Sequence, residues 1–150
     1  MLGIRSASAA DNPEVLNLAF GSPESFELTP FVIIEKTGKI TLMNPKPDMG
    51  QGTFQSIPAL IAEELEVSLD QVTIRQTGGE KAYGPSQISG GSYSVRSSYE
   101  PLRKVGASAR EMLITAASKQ WNVPVNECYA EQAQVIHKPC LLYTSDAADE

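Results

Sequence analysis

Two cysteines, one histidine and one tryptophan in 150 residues leave little from which to build a metal centre out of protein side chains. Zinc and iron–sulfur sites need three or four thiolates or imidazoles at short spacing, and no such cluster occurs. Nor can a Ser/His/Asp or Cys/His set be assembled, because the single histidine, His137, stands beside Lys138 and Pro139 and reads as an exposed residue at a strand end. There is no run of 18 apolar residues, so no segment is suited to crossing a bilayer as a helix. A formal net charge of −6, with no basic patch, basic helix or aromatic stacking series, argues against a nucleic-acid or anionic-membrane partner. No Lys-Ser or Lys-Thr pair follows a GxxxxG spacing, which excludes a P-loop. Internal repeats and low-complexity segments are absent as well.

Glycine and small polar residues are present where they count. Asp48-Met49-Gly50-Gln51-Gly52-Thr53 closes a strand-like run and opens a helix-like one. Two glycines let the backbone approach a bound group or adopt positive φ, and the N–H groups at the start of the next helix suit an anion. Gln51 sits at the tip, with a carboxamide that donates and accepts without titrating. On these residues alone a tight strand-to-helix turn explains the pattern better than a ligand loop does. A second loop, from Thr77 to Ser94, is rich in glycine, serine and glutamine and ends Ser89-Gly90-Gly91-Ser92-Tyr93-Ser94 before a long helical pattern. Loops of this length inside a compact domain are usually functional or disordered.

The order MGQG, then Ala62-Glu63-Glu64-Leu65, then Ser89-Gly90-Gly91-Ser92, then Ser94-Val95-Arg96, Pro101-Leu102-Arg103 and Gly106-Ala107 resembles the cofactor-binding large subunit of the xanthine dehydrogenase and aldehyde oxidase family. Within that family it is most similar to the branch of the isoquinoline 1-oxidoreductase beta subunit, over about Phe31 to Pro139. The resemblance implies a molybdenum-pyranopterin dinucleotide, in its cytosine form, held by cofactor-binding residues Met49, Gly50, Gln51, Gly91, Ser92 and Ser94. By the same resemblance Gln51 hydrogen-bonds an oxygen ligand of the metal, and the pterin's own dithiolene sulfurs replace protein ligands. It further implies oxidation of an aldehyde or aromatic N-heterocycle with oxygen from water, electrons passing to iron–sulfur clusters on a small 2Fe–2S partner subunit. The base in that family is a glutamate in the far C-terminal region, so no catalytic residue is assigned in this chain. Two positions depart from the branch, Asp48 where it has Glu and Ser89 where it has Thr. A rival reading is a non-catalytic phosphate- or nucleotide-binding module that shares the two loops, and a third is a small interaction domain whose loops are only turns.

Three segments are expected. Residues 1–28 read as an extended N-terminal segment, the remnant of an export signal if Ala7-Ser8-Ala9 is a cleavage site and a disordered N-terminus otherwise; the resemblance implies the periplasm or a membrane-associated location, and otherwise the cytoplasm. Residues 29–139 read as a partial molybdopterin-binding domain. Residues 140–150 back-translate to a sequence resembling a transposase-type sequencing adapter and are expected to be non-native, which removes Cys140 and the acidic Asp146, Asp149 and Glu150 from the argument. Cys128 is then expected as a small buried side chain in a strand.

The expected fold class is α+β: a hairpin of 31–35 and 39–43, a helix from Thr53, a strand centred on Ile74, the ligand loop, a long helix from Ser94 to Trp121 kinked or divided at Pro101, and further strands. Phe54, Ile57, Leu60, Ile61 and Leu65 should form the first helix's apolar stripe. Leu102, Val105, Ala109, Met112, Leu113, Ala116 and Ala117 should form that of the second. Gly106, Ala107 and Ala109 are small enough for close packing. Glu63, Glu64 and Glu66 read as a solvated face, and Arg96, Arg103 and Arg110 as surface arginines paired with Glu100 or Glu111, a phosphate role for Arg96 remaining open. One strand-like run covers 127–137, with Tyr129, Ala133, Val135 and Ile136 inward.

Overall fold

The computed structural model describes residues 25–139 and the backbone of Leu142 and Tyr143. The expectations for Ala7-Ser8-Ala9 and for the side chains of 140–150 fall outside the described residues. The architecture is α+β, as expected. Strands β1 (Ser25–Thr29), β2 (Val32–Glu35) and β3 (Ile40–Asn44) form an antiparallel meander. The β2–β3 turn closes through Gly38, whose φ of 81° only glycine adopts cheaply. Helix α1 (Thr53–Leu65) then carries the chain to β4 (Val72–Gln76), which pairs parallel to β3, so β3–α1–β4 is a crossover unit in a mixed sheet ordered β1-β2-β3-β4. β3 is interior to that sheet, and every one of its residues is buried.

Helix α2 (Ser94–Trp121) packs along α1 and reaches β5 (Cys128–Glu131) and β6 (Gln134–His137), a second hairpin extended by β7 (Leu142–Tyr143). The core joins Val32, Ile34, Ile40 and Leu42 of the sheet with Ile57, Ile61 and Leu65 of α1 and Leu102, Ala109, Leu113, Ile114 and Ala117 of α2. Gly106 lies at the helix crossing, where a Cβ would overlap the Ile61 carbonyl oxygen and stand 2.9 Å from Glu64 Cβ. Both helices end on a left-handed residue. After α1 the N–H groups of Glu66 and Val67 return to the last turn, and after α2 those of Asn122 and Val123 do the same, with Pro124 beyond.

Several expectations are corrected. Pro101 does not divide α2, which runs unbroken from Ser94 to Trp121; the proline is exposed, while Ser98 before it and Leu102, Gly106 and Ala109 after it are buried. The run 127–137 is two strands, not one, because Gln132 and Ala133 take φ of 49° and 63° and form a tight turn, the Ala133 N–H donating to Glu66 O at 2.7 Å. Ala133, Val135 and Ile136 are buried, and Tyr129 is half-buried beneath the Lys138 ammonium. His137 is buried rather than exposed: β6 is flanked by β5 and β7, and His137 Nε2 lies 2.9 Å from Glu127 Oε2. Cys128 is half-buried, and burial pushes its thiol pKa up.

Phe54, Met112 and Ala116 are exposed instead of lining the stripes, and Ile114 takes a core place. Glu64 is no solvated residue. It accepts hydrogen bonds from Arg103, with Nε at 2.6 Å, and lies 3.8 Å from Arg110, joining the helices where Glu100 instead pairs with Lys104. Arg110 also approaches Glu66 and Glu111. Arg96 stacks over the Tyr93 ring.

Candidate functional site

The carboxyl ends of parallel strands are where a crossover unit opens to solvent, and both glycine-rich loops leave the sheet there, one after β3 and the other after β4. The loop bases are fixed by a buried amide network. Asn44, which has no exposed surface, donates from Nδ2 to Lys46 O at 2.8 Å and to Gln76 Oε1 at 3.0 Å, and accepts at Oδ1 from the Lys46 N–H. Gln76 Nε2 and the Thr77 N–H both donate to Asn44 O. A carboxamide that meets a strand end on each side locks the register of β3 and β4 just before they diverge.

Beyond that lock, the carbonyl of Pro47 draws the two loops together. It accepts from Gln51 Nε2 at 2.8 Å and Thr53 Oγ1 at 3.0 Å on one side, and from Ser89 Oγ at 2.8 Å on the other. Ser94 Oγ lies 3.3 Å from Ser89 Oγ, which extends the chain of hydroxyls to the first residue of α2. The GQG turn is stapled by Asp48, whose carboxylate accepts the N–H groups of Gly50 and Phe54, each at 2.6 Å. Those two bonds, Phe54 first, hold the Asp48 pKa below the ordinary aspartate value. Asp48 thus caps α1 from outside its N-cap Gly52, whose φ is 84°.

The sequence-derived site residues fall on these loops. Met49 is 76% exposed, and Gly50 and Gln51 are exposed beside it. Gln51 is turned inward on its own loop: Nε2 donates to Pro47 O and to Thr53 Oγ1, and Oε1 accepts the Met49 N–H at 2.6 Å. To donate to a ligand it must release one of those bonds, while Oε1 keeps a lone pair for a further donor. Gly91 and Ser92 have φ of 57° and 54° and form a tight turn closed by the Tyr93 N–H on Gly90 O at 3.1 Å, with Ser92 exposed. Ser94 is half-buried at the start of α2. Gln51 and Ser94 are therefore linked through Pro47 and Ser89; Met49 joins Gln51 through its N–H alone and its side chain is exposed, as are Gly91 and Ser92. Sequence reasoning missed Lys46, Pro47 and Ser89 as connecting groups. Their contacts span about forty positions, and only Asp48, two residues before Gly50, carried a local capping signal.

A profile of the molybdopterin cofactor-binding domain matches residues 17–149. The chain belongs to that family. Among curated proteins, this molybdopterin cofactor-binding domain is 29% identical over 114 residues to the beta subunit of isoquinoline 1-oxidoreductase of Brevundimonas diminuta, covering 72% of the chain and 15% of the relative. It is 32% identical over 111 residues to a nicotinate dehydrogenase subunit of Pseudomonas putida, covering 73% and 9%. It is 25% identical over 128 residues to membrane-bound aldehyde dehydrogenase [pyrroloquinoline-quinone] of Gluconacetobacter polyoxogenes, covering 85% and 16%. The chain thus spans less than a fifth of the length of these relatives.

The loops of the domain suit the group that its family binds. At Gly50, Gly52, Gly90 and Gly91 nothing stands within 4 Å of where a Cβ would be, so the backbone at all four is open to close approach. The donors on offer are neutral hydroxyls, a carboxamide and backbone N–H groups, which match phosphate and pterin edges.

Proposed function

We propose that this domain is the cofactor-holding part of the large subunit of a molybdenum hydroxylase that oxidises aldehydes or aromatic N-heterocycles. The observation that carries the reading is the convergence of the GQG turn and the Ser89–Ser94 segment on one carbonyl, Pro47 O, at the open end of a parallel strand pair. Bound there, the molybdenum-pyranopterin dinucleotide supplies a redox metal for hydroxylation with oxygen from water. Gln51 would lie at its metal end, Met49 and Gly50 would line it, and Gly91, Ser92 and Ser94 would hold its pterin and phosphate portions. The cytosine form of the dinucleotide, electron transfer to a small 2Fe–2S protein and a periplasmic or membrane-associated location belong to the same proposal. Relatives named for isoquinoline, nicotinate and aldehyde oxidation support the substrate classes.

The two loops should fail differently. In the intact protein from a molybdenum-replete host, elemental analysis and pterin-nucleotide release should find about one equivalent of each. Gln51→Ala removes a neutral hydrogen bond worth about 0.5–1.5 kcal/mol, so most molybdenum should stay while turnover falls further than that loss explains. Ser92→Leu places a bulky side chain on a left-handed residue at the mouth of the second loop and should yield protein largely without molybdenum. Wild-type protein that is soluble yet carries pyrroloquinoline quinone or a nucleotide and no molybdenum would sink the proposal. So would both variants behaving as wild type.

A further inference from the structure

We infer that Lys46 is the positioning residue that seats the second glycine-rich loop, residues 77–93, against the GQG turn. Its geometry stands independently of the proposed function, and its consequence for cofactor retention rests on that reading. Lys46 is 2% exposed, and its Nζ donates to Ser86 O at 2.6 Å and to Ser86 Oγ at 3.1 Å. No carboxylate among the described residues forms an ion pair with it. An ammonium buried against neutral oxygens is costly, and burial pushes the Lys46 pKa below the ordinary lysine value. Methionine would fill similar volume without that cost, so packing alone does not explain the lysine. What the ammonium adds is a two-point hold on a loop forty residues away.

The main chain of Lys46 cannot move in response, because both its N–H and its carbonyl are bonded to the Asn44 carboxamide, which is itself fixed across β3 and β4. Lys46 is thus a rigid peg. On the loop side, Ser86 is followed by Gln87, which folds the loop on itself by donating to Glu80 O and Gly84 O, each at 2.8 Å. Three residues after Ser86 comes Ser89, whose hydroxyl reaches Pro47 O, the residue next to the peg. Lys46 and Pro47 therefore hold the loop at two adjacent points, one charge-assisted and part-buried, one neutral and exposed. The charge-assisted one is the stronger. Without it, the bond of the Ser89 hydroxyl to Pro47 O is what still ties residues 84–93 to the first loop.

Hydrogen exchange read by mass spectrometry on the intact protein tests this. Lys46→Met should speed exchange across 84–93 by roughly tenfold or more, the effect of losing a hydrogen bond to a charged group, while β3, β4 and α1 keep their protection. Lys46→Arg, which returns a cation and donors to the same depth, should restore part of the protection. The Met variant should also carry less than about a tenth of the wild-type molybdenum. Unchanged exchange in 84–93, or exchange raised equally in β3, β4 and α1, overturns the tether. A loosened loop with full molybdenum overturns the positioning role. Wild-type protein devoid of molybdenum overturns the proposed function instead and leaves the exchange result standing.

Discussion

Asp48 shows how much a single side chain settles in this site. Its carboxylate takes the N–H groups of Gly50 and Phe54, so the charge is matched to two donors that α1 and its entry turn would otherwise leave unmet. The folded-state pKa lies below the ordinary value, so the stabilisation is complete above the ordinary aspartate pKa and is lost as pH falls through the lower, folded one. A proton NMR titration should therefore show the Gly50 and Phe54 amide shifts moving together, with a midpoint below that of an exposed aspartate. In Asp48→Asn the same shifts should not titrate. A midpoint at or above the ordinary value would contradict the staple. The glycines and Gln51 were legible in the sequence because a strand-to-helix turn with GQG has a local cause in φ and side-chain chemistry. Lys46 was not: nothing near position 46 announces a partner at 86, and a lysine between two prolines reads as a solvated loop residue. His137 misled for the same reason, since its cover comes from β5 and β7 and not from its sequence neighbours.

Periodicity carried the helices, and their ends were legible from Pro124 and from the apolar stripe breaking off after Leu65. Which face a first turn shows was not, so Phe54 fitted the stripe by spacing yet faces solvent at the loop end. The hairpin at 132–133 escaped because Gln-Ala lacks the Asn-Gly or Asp-Gly signal that such a turn normally displays. Tertiary contact supplies what propensity does not: Ala133 is buried, and its N–H bonds to Glu66 O at the end of α1. The helix pair offers a sharper test. Gly→Ala in a helix interior gains up to about 1 kcal/mol in propensity, whereas forcing a methyl into backbone costs about 1–3 kcal/mol. At Gly106 the obstacle is the Ile61 carbonyl, which α1 cannot withdraw without breaking its own ladder. Gly106→Ala should lower the urea midpoint of the intact protein, while Ser108→Ala on the exposed side of the same helix should leave it unchanged or raise it. A stabilised Gly106→Ala would mean that the helices are not in contact there.

Across the whole molecule, the apolar surface left in solvent is not spread evenly. Among the described residues, five of the eight exposed large apolar or aromatic side chains, Met49, Phe54, Ile88, Tyr93 and Val95, lie in one of the two glycine-rich loops or in the first residues of the helix it opens, the others being Tyr99, Met112 and Val125. Beside them β4 forms one edge of its sheet, with Thr73, Arg75 and Gln76 exposed. Exposed large side chains gathered at one end, next to a strand edge that is unpaired among the described residues, favour self-association. Purified residues 1–139 should therefore form oligomers and bind an apolar dye, and light scattering after size exclusion would measure this. The two causes can be separated. Met49→Lys with Ile88→Lys removes the two most exposed of the loop hydrophobics, 76% and 75% exposed, without touching the strand edge. If the loop end drives association, that pair should shift the population towards monomer; if β4 drives it, the pair should do nothing and Thr73→Pro, which spoils the edge, should act instead. Monomeric wild-type 1–139 that unfolds in one cooperative step would contradict both, because it would mean that the loop end and the edge are already satisfied within this chain.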